Sequence, residues 1–208
     1  MNGQVSLEKW SLWINELSDK NYVVIDNFLN TDCYKQVTTF LTAHIQNFKQ
    51  AGIGALDQNL INKDIRGDAT FWLDSKRDME LNLFWQKVEE TIDVLNRECF
   101  LSLNGFEFHL TKYPPGAHYK RHLDQFQNRN NRLISVVIYL NEHWQPGNGG
   151  ELEIYDNEQI INISPIANRC VLFRSDLVEH AVLTSNTNRF SLTGWLLHKP
   201  AALGKFFT

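Results

Sequence analysis

The stretch HYKRHLDQF, His118 to Phe126, sets a histidine two residues before an aspartate. Residues two apart in an extended chain point to the same face, so the His122 imidazole and the Asp124 carboxylate can reach one metal ion together. An H-x-D tripeptide is common by chance and needs company. His180 supplies it, standing in DLVEHAVL at the start of an apolar run far along the chain. Two histidines and one carboxylate on one face of an ion form the facial triad that suits non-haem Fe(II), with positions left open for a cosubstrate and O2. Spacing alone does not separate this reading from a surface H-x-D and an unrelated strand histidine.

Arg189 follows His180 by nine residues, in NTNRFSLTGW. An arginine facing inward at the start of a strand is a costly buried charge unless an anion meets it. A carboxylate held in bidentate geometry is its natural partner. Tyr113, nine residues before His122, is spaced to lend a hydroxyl to the same anion. Iron ligands plus a carboxylate-clamping arginine on a neighbouring strand make the chemistry of a 2-oxoglutarate-dependent oxygenase, with Fe(II) as metal and 2-oxoglutarate and O2 as cosubstrates. His109 and His118 read as satisfied structural or surface histidines, and His44, His143 and His198 lack partners at usable spacing. Lys120, Arg121, Arg129 and Arg132 have little aromatic interleaving and read as a solvated rim, not a nucleic-acid surface.

The elements that must carry these residues follow from patterning. Leu7, Trp10, Trp13, Ile14 and Leu17 recur at helical spacing. YVVI (Tyr22 to Ile25) is a short strand, and Thr31 or Asp32 offers the N-cap of a helix through about Phe48. A further helix runs from about Asp78 to Arg97, with Phe84, Val88, Ile92 and Leu95 as its core stripe. From Gly105 the texture changes to short runs rich in β-branched and aromatic residues: FEFHLTKY, RLISVVIYL, ELEIY, QIINI, CVLF and RFSLTGWLL. Pro114-Pro115-Gly116, Pro146 to Gly150, Asp156-Asn157 and Ser164-Pro165 punctuate them. The expectation is an α+β chain, a β-barrel or two-sheet sandwich with an N-terminal helical layer. One domain spans 1–208, with the helical layer at about 1–100 and the β core at about 101–198.

Composition excludes other classes. With 43% hydrophobic and 21% charged residues over 208 positions and a net charge of −4, the chain is an ordinary globular protein without the basic excess of a nucleic-acid binder. No stretch approaches a membrane span, and the N-terminus lacks the apolar run of a secretory signal. Cys33, Cys99 and Cys170 are odd in number and widely spaced, which suggests neither disulfides nor a zinc ribbon and fits a cytoplasmic protein.

Taken together, these stretches resemble the prolyl 4-hydroxylase branch of the Fe(II)/2-oxoglutarate oxygenases, and within it the EGLN-type hypoxia-factor prolyl hydroxylases and their bacterial relatives. The resemblance rests on YVVIDNFL, IRGDATFWLD (Ile65 to Asp74), YPPGAHYKRHLD (Tyr113 to Asp124), RLISVVIYLN (Arg132 to Asn141), GGELEIY (Gly149 to Tyr155) and the series His180, Arg189, Trp195. It implies a double-stranded β-helix, or jelly roll, with His122, Asp124 and His180 on iron. It also implies that 2-oxoglutarate chelates the metal while its far carboxylate meets Arg189 and Tyr139, that Tyr113 lines the pocket, and that ascorbate is a candidate reductant. Arg66 and Asp68 fall in a motif that, by this resemblance, shapes a loop over a peptide substrate; Tyr119, Arg121 and Trp195 fall at the pocket mouth and wall. The implied partner is a protein or peptide bearing a target proline, with a translation elongation factor as one candidate. Two alternatives stay open: the same chemistry on a free amino acid or other small molecule, and a jelly-roll module that holds a metal or ligand without catalysis. A nucleic-acid demethylase is disfavoured because FSLTGWLLHK lacks the second arginine of those relatives. Gln125 to Arg132 is strongly polar and names no particular peptide, and nothing in the sequence fixes an oligomeric state.

Overall fold

The run RLISVVIY is buried on both faces, and that fact organises the molecule. Ile134, Val136 and Ile138 belong to one apolar cluster, shared with helices, while Val137 and Tyr139 belong to a second that lies between sheets. Strand side chains alternate, so one strand divides two cores. The computed structural model describes residues 7–52, 64–125, 131–156 and 159–198. In chain order the elements are α1 (Leu7–Lys20), β1 (Tyr22–Ile25), α2 (Thr31–His44), β2 (Lys49–Gln50), β3 (Ala69–Trp72), α3 (Asn82–Cys99), β4 (Leu103–Tyr113), β5 (Tyr119–His122), β6 (Arg132–Tyr139), β7 (Leu152–Asp156), β8 (Gln159–Ile163), β9 (Cys170–Arg174), β10 (Glu179–Val182) and β11 (Arg189–His198).

The strands form a seven-stranded sheet in the order β1-β9-β6-β11-β4-β3-β2 and a four-stranded sheet in the order β5-β10-β7-β8. Every pairing is antiparallel. The three helices cover the outer face of the larger sheet, where Trp10, Val37, Phe40 and Phe84 meet Phe108, Leu110, Leu172 and Leu196. The smaller sheet faces the inner side, where Leu152, Ile154 and Val182 meet Val137, Val171 and Phe173. This is the expected jelly-roll core with a helical layer. The first hundred residues do more than provide that layer, however: they also lend β1, β2 and β3 to the larger sheet.

Local boundaries differ from the sequence expectation for definable reasons. Asn30, rather than Thr31 or Asp32, caps α2, its side-chain oxygen accepting from the Cys33 amide at 2.9 Å. α2 stops at His44 and tightens into a 3-10 turn at Ile45–Asn47 before Phe48. A similar turn, Met79–Leu81, precedes α3, which begins at Asn82 rather than Asp78. Leu7 opens the α1 stripe but is 67% exposed; Trp10 and Leu17 carry the burial. No helix among the described residues is long and apolar enough to cross a membrane. Asn157 and residues 126–130, including Arg129, lie outside the described residues.

Candidate metal centre and its pocket

β5 and β10 place the two histidines directly opposite each other, His180 paired with His122. The next pair is Val182 with Tyr119, so three steps along β5 match two along β10 and β5 carries a bulge. The extra residue brings Tyr119 and His122 to one face, where their rings stack with centroids 3.7 Å apart. Asp124 sits just beyond the end of β5. Its Oδ1 lies 3.4 Å from His122 Nε2 and 3.6 Å from His180 Nε2. The three ligand atoms all fall within 4.8 Å of one another, the one such group of histidine, cysteine or carboxylate side chains among the described residues.

The remaining polar atoms of the three side chains are occupied in a way that leaves those atoms for a metal. His122 Nδ1 donates to the Lys120 carbonyl at 2.7 Å and His180 Nδ1 to the Val178 carbonyl at 3.1 Å, which presents both Nε2 lone pairs inward. Asp124 Oδ2 accepts from the Ser135 hydroxyl at 2.7 Å, and Ser135 in turn meets Ser175 Oγ at 2.8 Å. Burial pushes the Asp124 carboxyl up, but His180, His122 and the Ser135 hydroxyl together outweigh it and hold the group below the usual carboxylate range. Burial lowers His180 to about 4 against the opposing pull of Asp124. Both groups are therefore in the ligating protonation state at neutral pH, and the donor set of two imidazoles and one carboxylate fits non-haem iron.

Arg189 opens β11 opposite Tyr113 of β4 and is 2% exposed. Its Nε donates to the Gly150 carbonyl at 2.8 Å and its Nη1 to Ser191 Oγ at 3.4 Å. Among the described residues no carboxylate pairs with it. The guanidinium lies 4.9 Å from the Tyr113 ring centre and 5.0 Å from that of Tyr139. The Tyr139 hydroxyl is buried with no hydrogen-bond partner among the described residues, and burial, outweighing the neighbouring Arg189, raises it to about 12, so it stays a donor. Burial likewise raises Tyr113 well above its ordinary value. A buried cation beside an unpartnered hydroxyl is expensive unless a ligand carboxylate completes it.

The loop at Ile65 to Asp68 is held by a buried ion pair. Asp68 is fully buried, and Arg66 grips it with two bonds, Nε to Oδ1 at 2.7 Å and Nη2 to Oδ2 at 2.6 Å. The Arg66 guanidinium also covers the Tyr119 ring at 4.4 Å, which ties this loop to the bulged strand. Trp195 is buried on the inner face with the Arg132 guanidinium 3.4 Å above its ring. Arg121 differs from expectation. It points away from the pocket, paired with Glu179 and 4.0 Å from the Tyr155 ring centre, because its place next to the inward His122 turns it to the outer face of the smaller sheet.

Three inner-face residues were not singled out by spacing. Ser135 is the one small polar residue among the apolar ones of its strand, and that misfit is its only sequence signal. Arg132 is no rim residue: it is 7% exposed, bonds Glu107 Oε1 at 2.6 Å and reaches the Asp124 carbonyl at 3.5 Å. His109 is no satisfied histidine: it is buried, and its Nδ1 meets no partner among the described residues.

Comparison with known proteins agrees with this geometry. Residues 108–197 match the family model described as the 2OG-Fe(II) oxygenase superfamily. A prolyl-4-hydroxylase structure from Pseudomonas putida is 30% identical and superposes with a TM-score of 0.82 over 91% of this chain and 99% of that one. A prolyl hydroxylase from Trichoplax adhaerens, solved with a hypoxia inducible factor peptide fragment, is 26% identical, with a TM-score of 0.79 over 94% of each chain. Among curated proteins, the hypoxia-inducible factor prolyl hydroxylase of Caenorhabditis elegans is 28% identical over 89% of this chain and Egl nine homolog 1 of Homo sapiens 27% over 83%. The match spans 28% of the first of those proteins and 42% of the second.

Proposed function

Because the chain belongs to the 2OG-Fe(II) oxygenase superfamily, we propose that it is an Fe(II)- and 2-oxoglutarate-dependent dioxygenase that hydroxylates a prolyl residue of a protein or peptide. The observation that carries this reading is the convergence of His122, Asp124 and His180, together with a buried Arg189 that no carboxylate among the described residues pairs. In this reading the triad holds Fe(II). Arg189 and Tyr139 take the far carboxylate of 2-oxoglutarate, and Tyr113 closes the wall beside them. When bound, iron and 2-oxoglutarate supply the oxidising power, with O2 as oxidant and succinate and CO2 as coproducts. The chain's part is orientation: Ser135 fixes Asp124, the Lys120 and Val178 carbonyls fix the imidazoles, and Gly150 fixes Arg189.

The Arg66–Asp68 pair and Tyr119 shape the rim where a peptide would arrive, and Trp195 forms the wall behind it. The relatives that are prolyl hydroxylases support the residue class. A translation elongation factor is the candidate target, and three free thiols support a reducing cytoplasm. A free amino acid as substrate is the second reading, since the iron chemistry is indifferent to what carries the C–H bond.

The test is 2-oxoglutarate turnover with Fe(II), in wild type and His122→Ala. Turnover should fall to background in the variant, and equal rates would end the triad assignment. Mass spectrometry of cellular proteins, active chain against Asp124→Ala, should then reveal one added oxygen on proline. Oxygen on another residue type would replace the substrate class and leave the mechanism standing.

A further inference from the structure

Trp195, His109 and Trp72 form one aromatic series that ends in solvent. The His109 ring lies 5.4 Å from Trp195 and 4.7 Å from Trp72, and the two indoles stand 6.3 Å apart, centre to centre. Trp195 is buried, whereas Trp72 is 48% exposed. Two residues join the inner end to the metal centre. Trp195 pairs in register with Ser135, whose hydroxyl bonds Asp124. The Arg132 guanidinium covers the Trp195 ring at 3.4 Å and reaches the Asp124 carbonyl at 3.5 Å. A wall role for Trp195 leaves the two rings beyond it unexplained.

The surroundings give the series a direction. An indole that loses an electron becomes a cation, which burial and a guanidinium against the ring both oppose. Trp195 has both, with Glu107 balancing part of the Arg132 charge. Trp72 has water on its ring and, among the described residues, no cation over it; Arg77 meets only its backbone carbonyl. His109 sets no charge in the way, because burial lowers it to about 3 and leaves it neutral at pH 7. An electron vacancy at Trp195 therefore passes outward to Trp72. Tyr119 is a poorer donor although it stacks on His122, since a phenol must shed its proton to be oxidised and burial holds that proton on.

We propose that Trp195 and Trp72 are an electron relay that disposes of oxidising power when O2 is consumed with no substrate C–H bond in place, so that the damage falls on the exposed Trp72. This deepens the oxygenase reading and rests on it. In such a turnover 2-oxoglutarate and O2 yield succinate, CO2 and one oxygen atom still to be reduced. Trp72 gives up two electrons, one after the other, by way of Trp195. Water adds to the oxidised ring, a C–O bond forms, a C–H bond breaks and two protons leave. Those electrons and two protons reduce the remaining oxygen atom to water. The sum is one indole C–H converted to C–OH for each 2-oxoglutarate and O2 consumed.

The test incubates the protein with Fe(II), 2-oxoglutarate and O2 in water enriched in heavy oxygen, without peptide, and follows succinate together with the masses of tryptic peptides. Gly67–Lys76 carries Trp72, and Asp78–Lys87 carries Met79, which at 70% exposure reports any freely diffusing oxidant. One heavy oxygen should appear on Trp72, with none on Met79 and none anywhere in a Zn(II) control. Trp195→Phe, compared at equal succinate, should lose the Trp72 product, and Trp72→Phe should move the oxygen to Trp195. Should Trp195→Phe not fold, Trp72→Phe decides alone. Absence of the Trp72 product, equal oxidation of Met79, oxygen drawn from O2, product on Tyr119 in place of Trp72, or a Trp72 product undiminished in Trp195→Phe overturns the relay. Failure of Fe(II) and 2-oxoglutarate to develop a visible charge-transfer band on the protein without O2 overturns the oxygenase reading, and the relay with it.

Discussion

Asp124 turns Oδ1 toward the two imidazoles while Ser135 holds Oδ2 at 2.7 Å. Ser135→Ala removes that hydroxyl without opening a large cavity, and outer partners of metal ligands are typically worth 10–100-fold in affinity. Co(II) or Mn(II) titration should therefore show affinity falling by roughly 10–100-fold; an unchanged isotherm would mean that Asp124 needs no such support. His109 makes a second prediction, in stability. Its folded pKa is about 3, whereas an unfolded histidine titrates near about 6.5, so between those values the unfolded chain binds the extra proton. Stability is complete above the unfolded value and is lost as pH falls toward the folded one. The urea midpoint should drop between pH 7 and 5, and by less in His109→Gln; parallel curves for the two proteins would contradict it. The metal ligands were legible at this scale because their types are rare and their chemistry restrictive. Ser135, Arg132 and His109 were not, because only strand pairing decides which face a residue joins.

Two backbone details at the scale of elements set the pocket. In β5 the bulge turns Tyr119 inward beside His122, whereas Arg121, adjacent to His122, faces outward by ordinary alternation; periodicity cannot reveal a bulge, so the strand was legible and the shared face of Tyr119 and His122 was not. Before β7, Gly150 adopts φ +76°, and a Cβ there would lie 2.9 Å from Arg189 Cδ. Its carbonyl also accepts from Arg189 Nε at 2.8 Å. Glycine is required twice, once for the left-handed conformation and once for the close approach. Gly150→Ala should raise the KM for 2-oxoglutarate by about tenfold or more through loss of one charge-assisted contact, about 1.5–3 kcal/mol. Metal affinity should stay within about twofold, since 1.4 kcal/mol is needed for each tenfold and no metal ligand moves. A fall in metal affinity with an unchanged KM would show that the turn supports the wrong site. The turn was legible as Pro146 to Gly150, but its contact with a residue 39 positions away was not.

For the whole molecule, the larger sheet separates two jobs. Its outer side chains join the helices, while its inner ones build the site, so stability and metal binding draw on different faces of the same strands. The alternation within RLISVVIY was visible in the sequence only as a continuous apolar run, since burial on both sides erases the period. That division makes a prediction. Phe84 is 1% exposed in the outer cluster and touches no metal ligand, so Phe84→Ala should cost about 3–5 kcal/mol and lower the melting temperature by roughly 6–20 °C. Metal at a hundredfold over its dissociation constant should stabilise by about 2.7 kcal/mol. For a chain of this size that is roughly 5–11 °C. If the two faces are energetically independent, the metal-induced rise should be the same in Phe84→Ala as in wild type and absent in His180→Ala. Differential scanning fluorimetry with and without Mn(II) reads all three. A metal increment that shrinks in Phe84→Ala would mean that the helical layer holds the iron ligands in place through the sheet, and that the two cores act as one.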